Sequence, residues 1–472
     1  MSKVDSTVVA TREDDDTPDL ATASEIPFNY EMRIESDILN PVVATDNFCR
    51  WTLQRKGFLS HQSKIQLRLQ QDDNNDGMYF LPLNIGINSV VKRAVLKCGN
   101  RTLCETDEWN RLQGYRSLFL TPENNREREY YLTSRLMSYQ PEYPIGEDPS
   151  VVSDKITIDT GRNLDTDNFE LLPFAIVDRS RPVQESSTYS IYLGDLFDIF
   201  NGNNLPLYLI DDDIHIELTF EDALNKRMCN DEDADSDGEF ELEFEDNGCS
   251  LIYDTIYFDG ETMDKYRRGK GSNLQFGYVD YRLTRRTGNE QLWRGGVVQN
   301  VGGAGRMVDK VIVGLADTDL TGLDDGALNL LNQYFAQSQT DPTNEFSINI
   351  RYNDRSEYTS DLTNLSTVFM ETSKAEGVGS EPFVPKQFYS PFQADATTTT
   401  TLHGRNQQNQ LNESFCYQAF KLKRGERVNN QGIDLLYSSD LGLALDNHTL
   451  FVWIALKKIA TIQNGHMDCY FV

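Results

Sequence analysis

Between residues 214 and 220 apolar and polar positions alternate without interruption. Ile214, Ile216, Leu218 and Phe220 point one way, and His215, Glu217 and Thr219 the other. A period of two marks a strand with one buried face. Before it runs the apolar stretch NLPLYLI (204–210), and three aspartates, Asp211, Asp212 and Asp213, lie between the two pieces. The same period recurs elsewhere. KIQLRLQ sets Ile65, Leu67 and Leu69 on one face, FCRWTLQRK before it carries strand-forming aromatics, and KITIDTG (155–161) is a shorter alternating strand. KVIVGL, EFSINIRYN, QAFKLKRG and LFVWIALKKIA read as further strands between long polar loops. Helical spacing is rarer. After a strand, a tight turn at Gly99-Asn100 and a short strand, a helix is predicted from about Glu105, where Trp109 and Leu112 share a face. A second is predicted over 326–337, from the spacing of Leu330, Leu331, Tyr334 and Phe335.

Many short strands, long loops and few helices predict an all-β chain built of sandwiches. Two segments also run in parallel. VLKCGNRTLCETDEWNRL (95–112) and INIRYNDRSEYTSDLTNL (348–365) each pass from strand to polar turn to short strand to acidic segment to leucine. Each half ends on long apolar strands, 205–220 and 450–471. Repetition at about half the chain length predicts two similar sandwiches side by side. Residues 1–27 are polar and acidic and are expected to form a flexible arm. The TTTTT run (397–401) and the Gln/Asn-rich stretch after it are expected to be exposed loop.

Composition narrows the function classes. The chain has 472 residues, 39% hydrophobic and 25% charged, long enough for two β-domains with separate cores. A net charge of −30 argues against direct nucleic-acid binding. The seven cysteines (Cys49, Cys98, Cys104, Cys229, Cys249, Cys416 and Cys469) show no zinc-ligand spacing and are expected to be reduced thiols. MSKVDSTVVATREDDD lacks the apolar core of a signal peptide, and no apolar run reaches a membrane span, so synthesis in cytosol or nucleoplasm is expected.

The motifs that resemble chemistry are each outweighed by a plainer reading. Asp159-Thr160-Gly161 matches the catalytic triplet of aspartic proteases, but a single-chain enzyme needs a second copy and none exists. Asp233, Asp235 and Asp237, followed by Gly238, have the oxygen spacing of a calcium loop, as do Asp72, Asn74 and Asp76 before Gly77. The twelfth positions are Phe244 and Leu83, not the bidentate glutamate, so both read first as solvated acidic turns and the former only as a weak calcium candidate. His61, His215, His403, His448 and His466 are scattered and form no metal motif. GGAGR (302–306) and RRGKGSN (267–273) are glycine-rich without being phosphate loops. No catalytic set and no cofactor motif emerges.

Five passages resemble the double jelly-roll major capsid proteins of the adenovirus and large DNA virus lineage. LPLYLIDDDIHIELTF (205–220) is similar to the late strand pair of that family's first jelly roll. CSLIYDTIYFDGETMDKYRRG (249–269) resembles the crossing between rolls, a strand followed by an acidic, arginine-rich short helix; its counterparts are Asp254, Ile256, Tyr257, Asp259, Glu261, Tyr266, Arg267 and Arg268. AFKLKRGERVNNQGIDLLYS (419–438) and LFVWIALKKIATIQNGHMDCYFV (450–472) resemble the final strands, and GNRTLCETDEWNRL (99–112) an early element. The loops and the small size point to the smaller relatives, Polinton-like viruses and virophages.

The resemblance implies two eight-stranded sandwiches: a first jelly roll over 28–262 with an acidic loop at 226–248, a linker at 263–272, and a second jelly roll over 273–472. It implies a non-enzymatic major capsid protein, without cofactor, whose homotrimer forms a pseudo-hexameric capsomer in the icosahedral shell of a virion. Implied partners are neighbouring capsomers and the minor capsid and penton proteins. On this reading the arm 1–27 lies inside the particle, and its removal leaves trimers but impairs assembly. Arg267 and Arg268 are interface candidates that would bridge domains or chains through carboxylates. The alternatives are a minor, vertex or scaffolding jelly-roll protein, and a carbohydrate-binding β-sandwich with a carboxylate pair and aromatic platforms.

Overall fold

The computed structural model describes residues 18–22, 26, 30–45, 47–71, 79–80, 86–120, 132–133, 157–158, 162–163, 187–221, 229–230, 242–287, 294–317, 346–363, 365–376, 401–402, 405–406, 418–422, 425–439 and 448–472. In the first half run β1 (Met32–Leu39), β2 (Phe48–Thr52), β3 (Lys64–Gln71), β4 (Val91–Cys98) and β5 (Arg101–Asp107). Helix α1 (Trp109–Leu120) follows, then β6 (Ser187–Tyr192), β7 (Ile214–Phe220) and β8 (Leu242–Phe258). Helix α2 (Gly260–Arg268) leads to the second half: β9 (Asn273–Thr287), β10 (Arg294–Val298), β11 (Val308–Asp317), β12 (Phe346–Tyr352) and β13 (Arg355–Ser356). Helix α3 (Leu365–Ala375), β14 (Gln418–Lys421), β15 (Asp434–Ser439), β16 (His448–Gln463) and β17 (His466–Phe471) complete it.

Strand order makes the duplication explicit. One sheet of the first half pairs as β1-β8-β3-β6 and the other as β2-β7-β4-β5. In the second half the sheets pair as β9-β16-β11-β14 and β10-β15-β12-β13, the same order eight strands later. All of these pairs are antiparallel, and each half interleaves its strands between two sheets as a jelly roll does. The fold is an all-β double jelly roll. Short additions decorate it: Val43–Thr45 extends the second sheet beside β2, and β17 pairs with β16.

Local sequence accounts for the strand and turn geometry. In β7 the four apolar positions are buried and the polar ones only half so. Burying them contributes about 1.5–3 kcal/mol each. The β4–β5 turn needs Gly99 at φ +56°, and the equivalent β12–β13 turn uses Asn353 and Asp354 at φ 52° and 58°, residue types that tolerate this region. The helix predicted from about Glu105 starts four residues later. Thr106 and Asp107 still pair with Ala94 and Arg93, and the chain leaves the sheet only at Glu108, whose φ of 49° breaks the strand. Within 204–210 only Leu205–Pro206 is strand; Pro206 has no N–H for a ladder, and Leu207–Leu209 closes a 3-10 turn instead. Sequence reading gave no helix at α3. The helix expected over 326–337, the TTTTT run apart from Thr401, and both acidic turns lie outside the described residues.

The expected arm carries a docked piece. Leu20 and Ala21 are fully buried, the Asn204 N–H donates to Ala21 O at 2.6 Å, and the Tyr266 hydroxyl donates to Asp19 Oδ1 at 2.8 Å. Residues 18–22 therefore belong to the first sandwich.

Two cores fill the molecule, and one ribbon serves both. β9 and β16 pair without a register shift from Asn273↔Gln463 to Thr287↔Thr449. At one end Leu274, Phe276, Tyr278, Ala460 and Ile462 complete the core of the first sandwich. At the other, Leu450, Val452, Ile454 and Leu456 belong to the core of the second. Residues directly opposite in an antiparallel pair share a face, so a single ribbon face is divided between the two cores.

Candidate functional site: the seam between the two sandwiches

Strand β5 is the last strand of its sheet, and an edge strand presents every second backbone N–H and C=O to whatever lies beside it. Here side chains of the second half meet those groups. The Tyr278 hydroxyl donates to Leu103 O at 2.8 Å, and the Trp453 Nε1–H donates to Asp107 O at 3.2 Å. The Lys458 ammonium donates to Leu103 O at 2.6 Å and Thr102 O at 3.2 Å. Between them the Glu105 N–H donates to Asp280 Oδ1 at 3.0 Å. An edge that would otherwise invite a foreign strand is thereby closed within the chain.

Charges on the same side chains knit the seam. Asp280 Oδ2 accepts from Lys458 Nζ at 3.2 Å and from Arg282 at 3.0 Å, and both Lys458 and Asp280 are buried. Arg282 also donates to Glu105 Oε2 at 2.6 Å, while Arg93 pairs with Glu105 from the other side. Burial pushes the Glu105 carboxyl up, but the guanidinium groups of Arg93 and Arg282 outweigh it and hold the pKa below the usual value. Burial also pushes the Tyr278 phenol well up, so it stays a proton donor to Leu103 O. Further along, Arg285 donates to Glu108 at 2.8 Å, and the guanidinium of Arg116 on α1 stacks over the Tyr281 ring at 4.8 Å. With both charges of the buried pair hydrogen-bonded on several sides, the desolvation cost is offset and the geometry is fixed.

The three aspartates form the second latch. The Asp211 N–H donates to Gly465 O at 2.7 Å, in the turn that joins β16 to β17. Gly465 has φ +82°, and a Cβ there would run into the Asp211 carboxylate. Asp212 faces His466 at 3.7 Å, while Asp213 accepts from Arg55 at 2.8 Å and its carbonyl accepts from the Gly99 N–H at 2.8 Å. Arg101 donates to Met467 O at 3.0 Å and pairs with Asp468. The interruption between NLPLYLI and β7 thus receives the terminal hairpin of the second sandwich.

The residues singled out from sequence sit elsewhere. Asp233, Asp235, Asp237, Asp72, Asn74, Asp76 and Asp159 lie outside the described residues. Among the described residues no group of three or more His, Cys, Asp or Glu could hold a metal ion. Arg267 donates to the Tyr208 carbonyl at 3.3 Å and stacks over its ring at 5.9 Å; the bond goes to a carbonyl of the first sandwich rather than to a carboxylate. Arg268 is exposed. The seam residues Tyr278, Asp280, Trp453 and Lys458 escaped sequence reading, and the only signal was a polar residue interrupting an apolar strand pattern, as Lys457-Lys458 does in β16.

Comparison with known proteins places this geometry. No family model matches the chain, and no curated protein matches it. Solved structures do. The 3.5 Å cryo-EM structure of the Sputnik virophage matches with a TM-score of 0.57 at 9% identity, covering 94% of this chain and 90% of that one. PBCV-1 VP54, fitted into a reconstruction of Sputnik, matches at 0.54 and 11% identity over 95% and 98%. The mavirus major capsid protein matches at 0.51 and 9% identity over 94% and 91%. Across nearly its whole length, the chain shares its fold with these viral proteins, the mavirus major capsid protein among them.

Proposed function

We propose that the chain is a major capsid protein: a structural subunit that trimerises into a pseudo-hexameric capsomer and tiles the icosahedral shell of a virion. The carrying observation is the repeated strand order, β1-β8-β3-β6 with β2-β7-β4-β5 and then β9-β16-β11-β14 with β10-β15-β12-β13. Two like sandwiches per chain and three chains supply six nearly equivalent lateral faces, which fill six-fold sites with three-fold symmetry. The seam makes the pair one block, as a tile must be. Neighbouring capsomers and minor capsid and penton proteins are the partners on this reading, and the net charge of −30 fits a shell that does not itself bind the genome. Arg268, exposed at the end of α2, remains an interface candidate. Size-exclusion chromatography with light scattering, followed by negative-stain microscopy, tests the proposal. Hexagonal blocks of three chains are expected, and monomers at shell-forming concentrations overturn it.

A further inference from the structure

Cys49 and Cys249 face each other across the first sandwich. Cys49 lies on β2, opposite Leu218 of β7, in one sheet; Cys249 lies on β8, opposite Leu67 of β3, in the other. Residues opposite each other in an antiparallel pair share a face, and Leu218 and Leu67 belong to the core, so both thiols point into the space between the sheets. They are 1% and 4% exposed, both are free, and they are in hydrogen-bonding contact with each other. On the same pair of sheets the rings of Phe220 (β7) and Phe244 (β8) meet across the gap at 4.4 Å.

A break in the ladder puts Cys249 in that place. From Phe244 to Cys249 strand β8 advances five residues, while its partner β3 goes only from Leu69 to Leu67. Surplus residues on one strand leave the pairing as a bulge. An unbroken ladder would set Asp246 opposite Leu67; the shifted register sets a thiol there instead. The other free thiols have different surroundings. Cys98 and Cys104 lie on β4 and β5, beside the seam, and Cys469 donates to Thr102 O at 3.4 Å.

We propose that Cys49 and Cys249 are the two halves of a latent inter-sheet disulfide, reduced when the chain is made and closed by exchange with a low-molecular-weight disulfide. The thiolate of one cysteine attacks the oxidant and displaces one thiol; the second thiolate attacks the mixed disulfide and displaces the other. One Sγ–Sγ bond forms, the oxidant's bond breaks, and its two sulfurs take up the two electrons and two protons that the cysteines give. A bridge between packed sheets has its parallel in the immunoglobulin sandwich. It closes a loop of about 200 residues, and a loop of that length removes much entropy from the unfolded chain. The bond to Cys49 and burial keep the Cys249 thiol protonated, so exchange proceeds through local opening beside the bulge and is slow in the folded chain. The pair is internal to the first sandwich and does not depend on the capsomer reading. For a shell that leaves a reducing cytosol, the bond would be set after folding is complete.

The test uses the full chain, purified with a reductant and then equilibrated for days with oxidised and reduced glutathione at rising ratios. Mass spectrometry of a non-reduced digest is expected to find the Cys49 peptide linked to the Cys249 peptide, with the loss of two hydrogens. The melting temperature should rise by several degrees, and dithiothreitol should reverse both changes. Cys49→Ala and Cys249→Ala, made separately, are each expected to lose the link and the rise on oxidation. Should neither variant fold, the digest of the parent decides by itself. Cys49 and Cys249 found fully alkylated after unfolding from the most oxidising mixture overturn the inference. So does finding them joined to other cysteines or to glutathione, or joined to each other with the melting temperature unchanged or lower.

Discussion

Lys458 is the residue on which the seam turns. Its ammonium serves two carbonyls of β5 and the carboxylate of Asp280 at once. Replacing it by methionine keeps the stem but removes one of the two cations on the buried Asp280 carboxylate and the charged donor to both carbonyls, while Arg282 still holds Asp280 and the Tyr278 hydroxyl still donates to Leu103 O. Breaking a buried pair that has no other partner costs about 3–5 kcal/mol, so Lys458→Met should lower stability in urea by less than that. Adding Asp280→Asn, which removes the charge that Lys458 helped balance but keeps an oxygen for the Glu105 N–H, should return part of it. Glu105 adds a pH dependence. Its folded pKa is depressed by Arg93 and Arg282, so its contribution is present above the ordinary carboxylate value of 4.5 and is lost as pH falls through the lower folded value. The melting temperature should therefore drop in acid more steeply for the parent than for Glu105→Gln; parallel curves would rule Glu105 out as the source.

At the scale of elements, the hairpin β16–β17 and the aspartate run are fitted to each other. Gly465→Ala would put a methyl against the Asp211 carboxylate at a left-handed φ, strain of order 1–3 kcal/mol before the clash is counted. The variant should unfold at lower urea, and Asp211→Ala should relieve only the steric share. The docked N-terminal piece carries a similar expectation. Removing residues 1–17 should leave the melting temperature unchanged, whereas removing 1–27 also takes away Leu20, Ala21 and the Asp19 acceptor of Tyr266 and should lower it. Elements of this kind divide what was legible in the sequence from what was not. β7, β12 and β16 were readable because burial on one face or both leaves a local apolar period. The helix boundary at Glu108 and the turn at Leu207–Leu209 were misplaced, because a positive φ and a proline in a two-residue strand act on single residues within otherwise strand-like runs. The seam was invisible because its members lie at separations of 175 to 356 in sequence, and Trp453 looks like ordinary core while Asp280 and Lys458 look like ordinary surface residues. Only the resemblance of 249–269 to a crossing between two rolls indicated that such a joint exists.

For the whole molecule, the division of one ribbon between two cores governs cooperativity. Without Leu274, Phe276, Tyr278, Ala460 and Ile462 the first sandwich has an open wall, so neither half is expected to be stable by itself. Calorimetry of the full chain should give a single transition, with van't Hoff and calorimetric enthalpies equal; two resolved peaks would mean that the cores melt separately. That same ribbon also sets a mechanical constant. Since its hydrogen bonds run unbroken past the boundary between the sandwiches, the angle between them is built in when the chain folds and has no hinge to adjust it. A coat made of such tiles must take up all of its curvature at the joints between molecules, and particles of different diameter would be assembled from an identical rigid brick.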